Sequence, residues 1–271
     1  MAGQSFIKNS FENIRANLLK FSGGHVLMHK DNDTGIAQIV LDRPEKCNAF
    51  SGQMMVELRQ CVEELEQWNE GKALILTGKG KNFCSGGDLN FVRQSTPQGG
   101  FDMCTWMQDT LVRLEKLPLI SCCLMHGATL GGGAELSVYC DYILAADDVK
   151  YGFLQGKLGI ITSWGGGTRL VQRMGRKVTL DLLLRSRIIN AQECLKIGLI
   201  EEIVPSDNAL EKTVEWVNNL IIHDIVVTRA IKTVVLNAEC NTLKVALELE
   251  RNMCSPLWNG PLHKEMLKKH L

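Results

Sequence analysis

Apolar positions along this chain alternate between short unbroken runs and stripes at spacings of three and four. Gly35–Asp42 follows a polar turn at Asp31–Thr34 and is ended by Pro44, which reads as a strand. Ser51 is placed to cap a helix on which Met55, Leu58, Val62 and Leu65 share one face. Ala73–Thr77 is then a buried strand, and the cycle returns at Leu119–Met125 and at Tyr142–Ala146. Met103, Met107, Leu111 and Leu114 predict an amphipathic helix over Phe101–Leu117, with Trp106 one position off the stripe. Asn190 and Glu193 form an asparagine version of a capping box before a helix over Ala191–Ile197, closed by Gly198. Beyond Pro205 the pattern is helical, with one stripe at Leu210, Val214, Val217 and Ile221 and another beginning at Leu243, Ala246 and Leu247. Strands alternating with helices predict an α/β fold. Three regions follow: an N-terminal helical extension over 1–24, a core over 25–205 and a C-terminal helical region over 206–271.

Composition adds mainly exclusions. Lys and Arg total 30, as do Asp and Glu, so no whole-chain field favours nucleic acid or a membrane surface. Ten scattered cysteines without a C-x-x-C pair read as free thiols of a reducing compartment. No His/Cys/Asp spacing suggests a metal, and no apolar stretch has the length of a membrane span. Phe6, Ile7, Phe11, Ile14, Leu18 and Leu19 lie at helical spacing between Lys8, Arg15 and Lys20. A mitochondrial presequence has such a stripe, but Glu12 and the scarcity of arginine favour a docked helix. Lys269-His270-Leu271 approaches a peroxisomal address but lacks its small first residue, so a cytosolic protein is expected.

The chemistry concentrates at Leu119–Leu136, an apolar run followed by Gly131, Gly132 and Gly133 and then by Ala134, Glu135 and Leu136. Strand, glycine turn and helix in that order let the backbone approach a ligand and aim free N–H groups at one point. Such a point holds an anion, bound or developing. Taken alone, a triple glycine is more simply a tight packing turn, and it matches no dinucleotide or phosphate-loop fingerprint. A second loop of suitable composition occurs at Asn82–Leu89, NFCSGGDL.

Together these loops, with DRPEKCNAFS at Asp42–Ser51, WGGGTRL at Trp164–Leu170 and AQECLKIGLIEEIVP at Ala191–Pro205, resemble the crotonase (enoyl-CoA hydratase/isomerase) superfamily over about residues 25–205. The resemblance implies a crotonase-like ββα spiral core with a C-terminal helical oligomerisation region, a homotrimer or a dimer of trimers. It implies an acyl-CoA substrate and no separate cofactor, CoA being part of that substrate. Backbone N–H groups of Gly87 and Gly132 would hold the thioester oxygen as it becomes an enolate. Backbone at Cys47, Ala49, Ser85 and Leu89 would meet the CoA adenine and pantetheine. Asp88 would shape its loop.

Two-glutamate hydratases of this family carry one carboxylate in the triple-glycine segment, here Glu135. Their second falls, counting from Gly159 in YGFLQGKLG, on Gln155. An amide cannot serve as a general base for water. It does suit a substrate with its own carboxylate, since two unit charges about 4 Å apart at an effective dielectric near 20 interact by about 4 kcal/mol. NAFSGQMM, SGGDLN, ATLGGGAELSVYCD and GIITSWGGGTRL resemble the ethylmalonyl-CoA decarboxylase branch in particular. That branch often has histidine at the position of Gln155 and proline at that of Thr162. The expected function is decarboxylation of a 2-alkylmalonyl-CoA, with Gly87, Gly132, Glu135 and Gln155 as its site. Hydration or isomerisation of an enoyl-CoA by Glu135 alone is the second reading, and an inactive scaffold or RNA-binding relative the third. His126, Cys84, Tyr139 and Asp141 read as structural, Trp164 as either pocket wall or packing, and Lys264, Lys268 and Lys269 as a solvated face or a contact for CoA phosphates across a subunit boundary.

Overall fold

The computed structural model describes residues 6–270; Leu271, the end of the near-peroxisomal tripeptide, and the side chain of His270 lie outside the described residues. A first helix, α1 (Phe11–Leu18), buries Ile14 and Leu18. Strand β1 (His25–Asp31), which the hydrophobic pattern does not announce, pairs antiparallel with β2 (Ile36–Asp42). Helix α2 (Gly52–Glu66) starts at Ser51, whose hydroxyl accepts the Met54 N–H at 3.1 Å. Its predicted face, Met55, Leu58, Val62 and Leu65, is fully buried. Next come β3 (Ala73–Gly78), the short α3 (Leu89–Gln94) and α4 (Pro97–Lys116), which packs with α1 and α2. Trp106 is buried despite its offset position and donates to the Met55 carbonyl at 3.0 Å.

The second half holds β4 (Ile120–Met125), β5 (Ala128–Leu130), α5 (Gly132–Ser137), β6 (Tyr142–Ala146) and β7 (Lys150–Gly152). Then follow α6 (Gly166–Arg185, broken at Gly175), α7 (Ala191–Lys196) and β8 (Glu202–Val204). The main sheet runs β1-β2-β3-β4-β6-β8, parallel except at β1–β2, and β5 and β7 form a second, two-stranded sheet. The mixed α/β architecture is a crotonase-like spiral with a helical C-terminal region. Alternation divides its core. Leu74, Leu76, Cys123, Met125, Ile143 and Ala145 face α2 and α4, while Ile75, Cys122, Leu124 and Leu144 face the opposite side.

That opposite side is covered by α8 (Ala209–Leu220), through Val217 and the neighbouring Ile221. Leu210, placed on the same stripe by sequence, is 40 % exposed. The capping box at α7 is half formed. Asn190 accepts the Glu193 N–H at 2.9 Å, but the Glu193 carboxylate pairs with Arg187 instead. Helices α9 (Ile225–Cys240), α10 (Leu243–Cys254) and α11 (Pro261–His270) complete the chain.

Lys232 of α9, 4 % exposed, pairs with Asp141, which also accepts from the Ser121 N–H and hydroxyl. Breaking a buried pair strands the remaining charge, typically at about 3–5 kcal/mol. Because Asp141 keeps both serine donors, Lys232→Ala is expected near the low end, about 3 kcal/mol, read as a lower urea midpoint.

Candidate active site

The site begins with the turn after β2. Cys47 and Asn48 both adopt left-handed backbone, φ 50° and 54°. Asparagine tolerates this conformation better than most residues. Asn48 is fully buried and fully used. Its Oδ1 accepts the Arg43 N–H at 2.8 Å, and its Nδ2 donates to the carbonyls of Lys79 and Asn82 at 3.0 and 2.6 Å. The Arg43 guanidinium donates to the Ala49 carbonyl at 3.0 Å and to Asp88 at 2.5 Å. Asp88 in turn accepts the Asn90 N–H at the start of α3. It shapes its loop.

Three distant segments are then laced by backbone alone. Ser85 N–H donates to Cys47, Phe50 to Gly86, and Asp88 to Phe50, at 3.0, 2.8 and 2.9 Å. Cys84 donates to Ala128 at 3.0 Å, Leu130 to Cys84 at 2.9 Å and Gly131 to Gly152 at 2.8 Å. Cys47, Ala49, Ser85 and Leu89 therefore lie along the same laced segments, Leu89 opening α3 and about half exposed.

The loops touch where glycine is required. A Cβ on Gly133 would sit 2.1 Å from the Cys84 carbonyl oxygen, and one on Gly86 would sit 2.9 Å from the Gly132 nitrogen. Gly87 and Gly132 themselves are left over. Among the described residues, neither N–H has a hydrogen-bond partner. Gly132 is the first residue of α5, whose opening N–H groups have no partner within the helix.

Glu135, three residues on, is 1 % exposed. Its Oε1 accepts Gln155 Nε2 at 2.8 Å and the Ser163 N–H at 3.2 Å. Its Oε2 accepts the N–H groups of Trp164 and Gly166 at 2.8 and 3.0 Å. Gln155 is 7 % exposed, and its Oε1 has no partner. The Trp164 indole packs on Gly132, where an added Cβ would lie 2.8 Å from its ring. Trp164 is also held edge-on by Phe50 and through its carbonyl by the Tyr139 hydroxyl at 2.9 Å.

Burial pushes the Glu135 carboxyl above the usual carboxylate range, opposed by its three backbone donors and Gln155. Cys104 on α4 and Tyr139 are the titratable neighbours that act on or feel its charge. A carboxyl with a raised folded-state value stabilises most below its unfolded value, and that contribution is lost as pH rises through the raised one. The melting temperature of the wild type relative to Glu135→Gln is therefore expected to improve on acidification from about pH 7 to about pH 5.

The remaining candidates lie outside this chemistry. His126 bonds the Gly78 carbonyl at 2.9 Å at the end of β4. Burial raises the Cys84 thiol to about 12, which disfavours a thiolate. Asp141 serves the Ser121 and Lys232 contacts, and Lys269 pairs with Glu265 on α11. No group of three or more His, Cys, Asp or Glu suits a metal among the described residues. Two clefts, of about 740 and 590 Å³, lie elsewhere, one between β3, β4 and the start of α8 and the other among α9–α11. The Asn48 hub, Arg43 and the Ser163–Gly166 donors were not assigned from sequence, because backbone partners leave no residue-type signal.

Comparison with known proteins agrees with this construction. Residues 31–269 match the family model described as Enoyl-CoA hydratase/isomerase. The chain is 41 % identical over 270 residues to the ethylmalonyl-CoA decarboxylase of Danio rerio, covering 97 % of this chain and 89 % of that one. It is 40 % identical over 262 residues to that of Homo sapiens, covering 95 % and 85 %. Among solved structures, the enoyl-CoA hydratase of Geobacillus kaustophilus superposes with a TM-score of 0.84 at 26 % identity, over 91 % of this chain and 93 % of that one. The Bacillus anthracis enoyl-CoA hydratase gives 0.81 at 28 %, over 86 % and 91 %. With a family match over residues 31–269 and about 40 % identity to the two decarboxylases across most of both chains, the chain belongs to the enoyl-CoA hydratase/isomerase family.

Proposed function

We propose that this protein decarboxylates a 2-alkylmalonyl-CoA, with ethylmalonyl-CoA or methylmalonyl-CoA as substrate. The C–C bond to the carboxylate breaks, CO2 leaves, and its electron pair becomes a thioester enolate. One proton then returns to the α-carbon. Gly87 and Gly132 would donate to the enolate oxygen, each such donor being worth typically about 2.7–4 kcal/mol of barrier. Cys47, Ala49, Ser85 and Leu89 would border the CoA moiety, and no cofactor is required. The observation that carries the reading is the 2.8 Å contact between Gln155 and Glu135. Hydration needs a free carboxylate to take a proton from water. Here the carboxylate is closed upon an amide, an arrangement that adds no second negative charge against an anionic substrate. The identity to curated ethylmalonyl-CoA decarboxylases over most of both chains supports the same reading. Removal of mis-carboxylated side products of acyl-CoA carboxylases, in the cytosol, is the role such an activity would serve.

Ile231, Val235, Leu243 and Leu247 are 49–75 % exposed on α9 and α10. An unpaired apolar face of this kind supports a homotrimer or a dimer of trimers, testable by light scattering. The functional test is incubation with ethylmalonyl-CoA, methylmalonyl-CoA and crotonyl-CoA, with products weighed by mass spectrometry. Loss of CO2 from the malonyl esters supports the proposal. Addition of water to crotonyl-CoA with the malonyl esters untouched would establish a hydratase, the activity named for the superposed structures.

A further inference from the structure

The buried carboxylate beside the oxyanion loops has a different task from the acid–base work its position suggests. Four donors saturate Glu135, one from Gln155 and three from the backbone of Ser163, Trp164 and Gly166. At 1 % exposure it offers a substrate almost no surface. Gly166 is the first residue of α6, so the carboxylate also sits at a helix start, where negative charge is favoured. The backbone it grips carries the Trp164 indole, and that ring lies against Gly132. Glu135 and Gly132 share α5, so the contacts form a closed ring: Gly132, Glu135, the 163–166 turn, the indole, and Gly132 again.

We propose that Glu135 is a positioning residue whose carboxylate pins the Trp164 indole against Gly132, fixing one of the two oxyanion donors without touching the substrate. The inference rests on the oxyanion role given above to Gly132. Gln155 completes the device. Its N–H holds Glu135 in the gripping orientation, and a second carboxylate there would break the contact by charge. The proton that the enolate takes at its α-carbon then comes from solvent water, and Glu135 is needed before that step, when negative charge reaches the thioester oxygen.

The test is a double-mutant cycle of Glu135→Ala, which removes both carboxylate oxygens from the 163–166 turn, and Trp164→Ala, read as binding of acetoacetyl-CoA and as the near-ultraviolet absorbance of its bound enolate. This probe needs no turnover and no proton relay. Losing one oxyanion donor typically costs about 10²–10³-fold, so a displaced donor is expected to cost about tenfold or more. Each single variant should lose enolate binding by that amount, and the double variant should be no worse than the poorer single, because both break one ring. Glu135→Gln is the conservative rescue: its amide oxygen still accepts from Trp164 and Gly166 while the Gln155 amide turns over to bring its unpartnered Oε1 to the new N–H donor, so enolate binding and turnover should both stay near wild type, also where Glu135→Ala melts early. If Trp164→Ala melts early, Trp164→Phe replaces it in the cycle. Enolate binding unchanged in Glu135→Gln while turnover is lost would overturn the proposal and make Glu135 the proton donor. Losses that multiply in the double variant would overturn it equally. A wild-type protein that binds the enolate yet leaves malonyl esters intact would sink the decarboxylase reading alone, with the cycle still interpretable.

Discussion

Gln155→Glu is expected to lower turnover of ethylmalonyl-CoA about a hundredfold and to introduce measurable hydration of crotonyl-CoA. The substitution places a second carboxylate where the amide now donates to Glu135 at 2.8 Å. Two unit charges at about 4 Å and an effective dielectric near 20 repel by about 4 kcal/mol, close to three decades in rate if fully expressed. The pair escapes part of this by sharing one proton and titrating as a unit, which brings the expected loss down to about a hundredfold. Above the pair's upper titration both groups ionise, the contact opens and Glu135 loses its orientation. Decarboxylation by the variant should therefore decline further as pH rises, while hydration, which needs one carboxylate free, should grow. Initial rates on both esters across pH check this. A variant as fast as wild type on the malonyl ester would show that charge at position 155 is irrelevant to the reaction.

Gly133→Ala should abolish activity, by at least a hundredfold, although one methyl group in a six-residue helix would ordinarily be harmless or helpful. The methyl would lie 2.1 Å from the Cys84 carbonyl oxygen, a backbone atom fixed by the bonds from Leu130 and to Ala128. Relief requires the two glycine loops to separate, and with them the N–H groups of Gly87 and Gly132. Removing a single oxyanion donor costs about 10²–10³-fold, which sets the scale. Gly100→Ala, on α4 with open space around it, is the matched control and should leave turnover unchanged and melting the same or slightly higher. Enolate binding by acetoacetyl-CoA separates lost oxyanion geometry from lost protein.

Much of the fold was legible because burial and period coincide. Met55, Leu58, Val62 and Leu65 announce a helix face, and Ala73–Thr77 announces a strand buried on both sides. β1 escaped because its pattern mixes His25, His29 and Lys30 with a single buried position, Val26. Leu210 misled because a stripe shows which face could be covered, not how far the neighbouring sheet extends. At the site, the glycine loops were readable as composition, and Glu135 and Gln155 as positions. Their mutual contact was not, since a carboxylate closed on an amide and one open to substrate have the same sequence. The grip on Ser163, Trp164 and Gly166 was further hidden, because any residue supplies a backbone N–H.

The backbone lacing of 47–50, 84–88 and 128–131 bears on how the chain acquires its activity. The bonds that join these segments to one another span about forty residues of chain, far beyond the local turn contacts each segment makes by itself. Contacts of that kind come late in folding, because loop-closure entropy must be met before they yield any return. The strands and helices of the core can form without them. Competence for an acyl thioester is therefore a property of the finished molecule: a folding intermediate with its helices and main sheet in place would have native-like circular dichroism and no site.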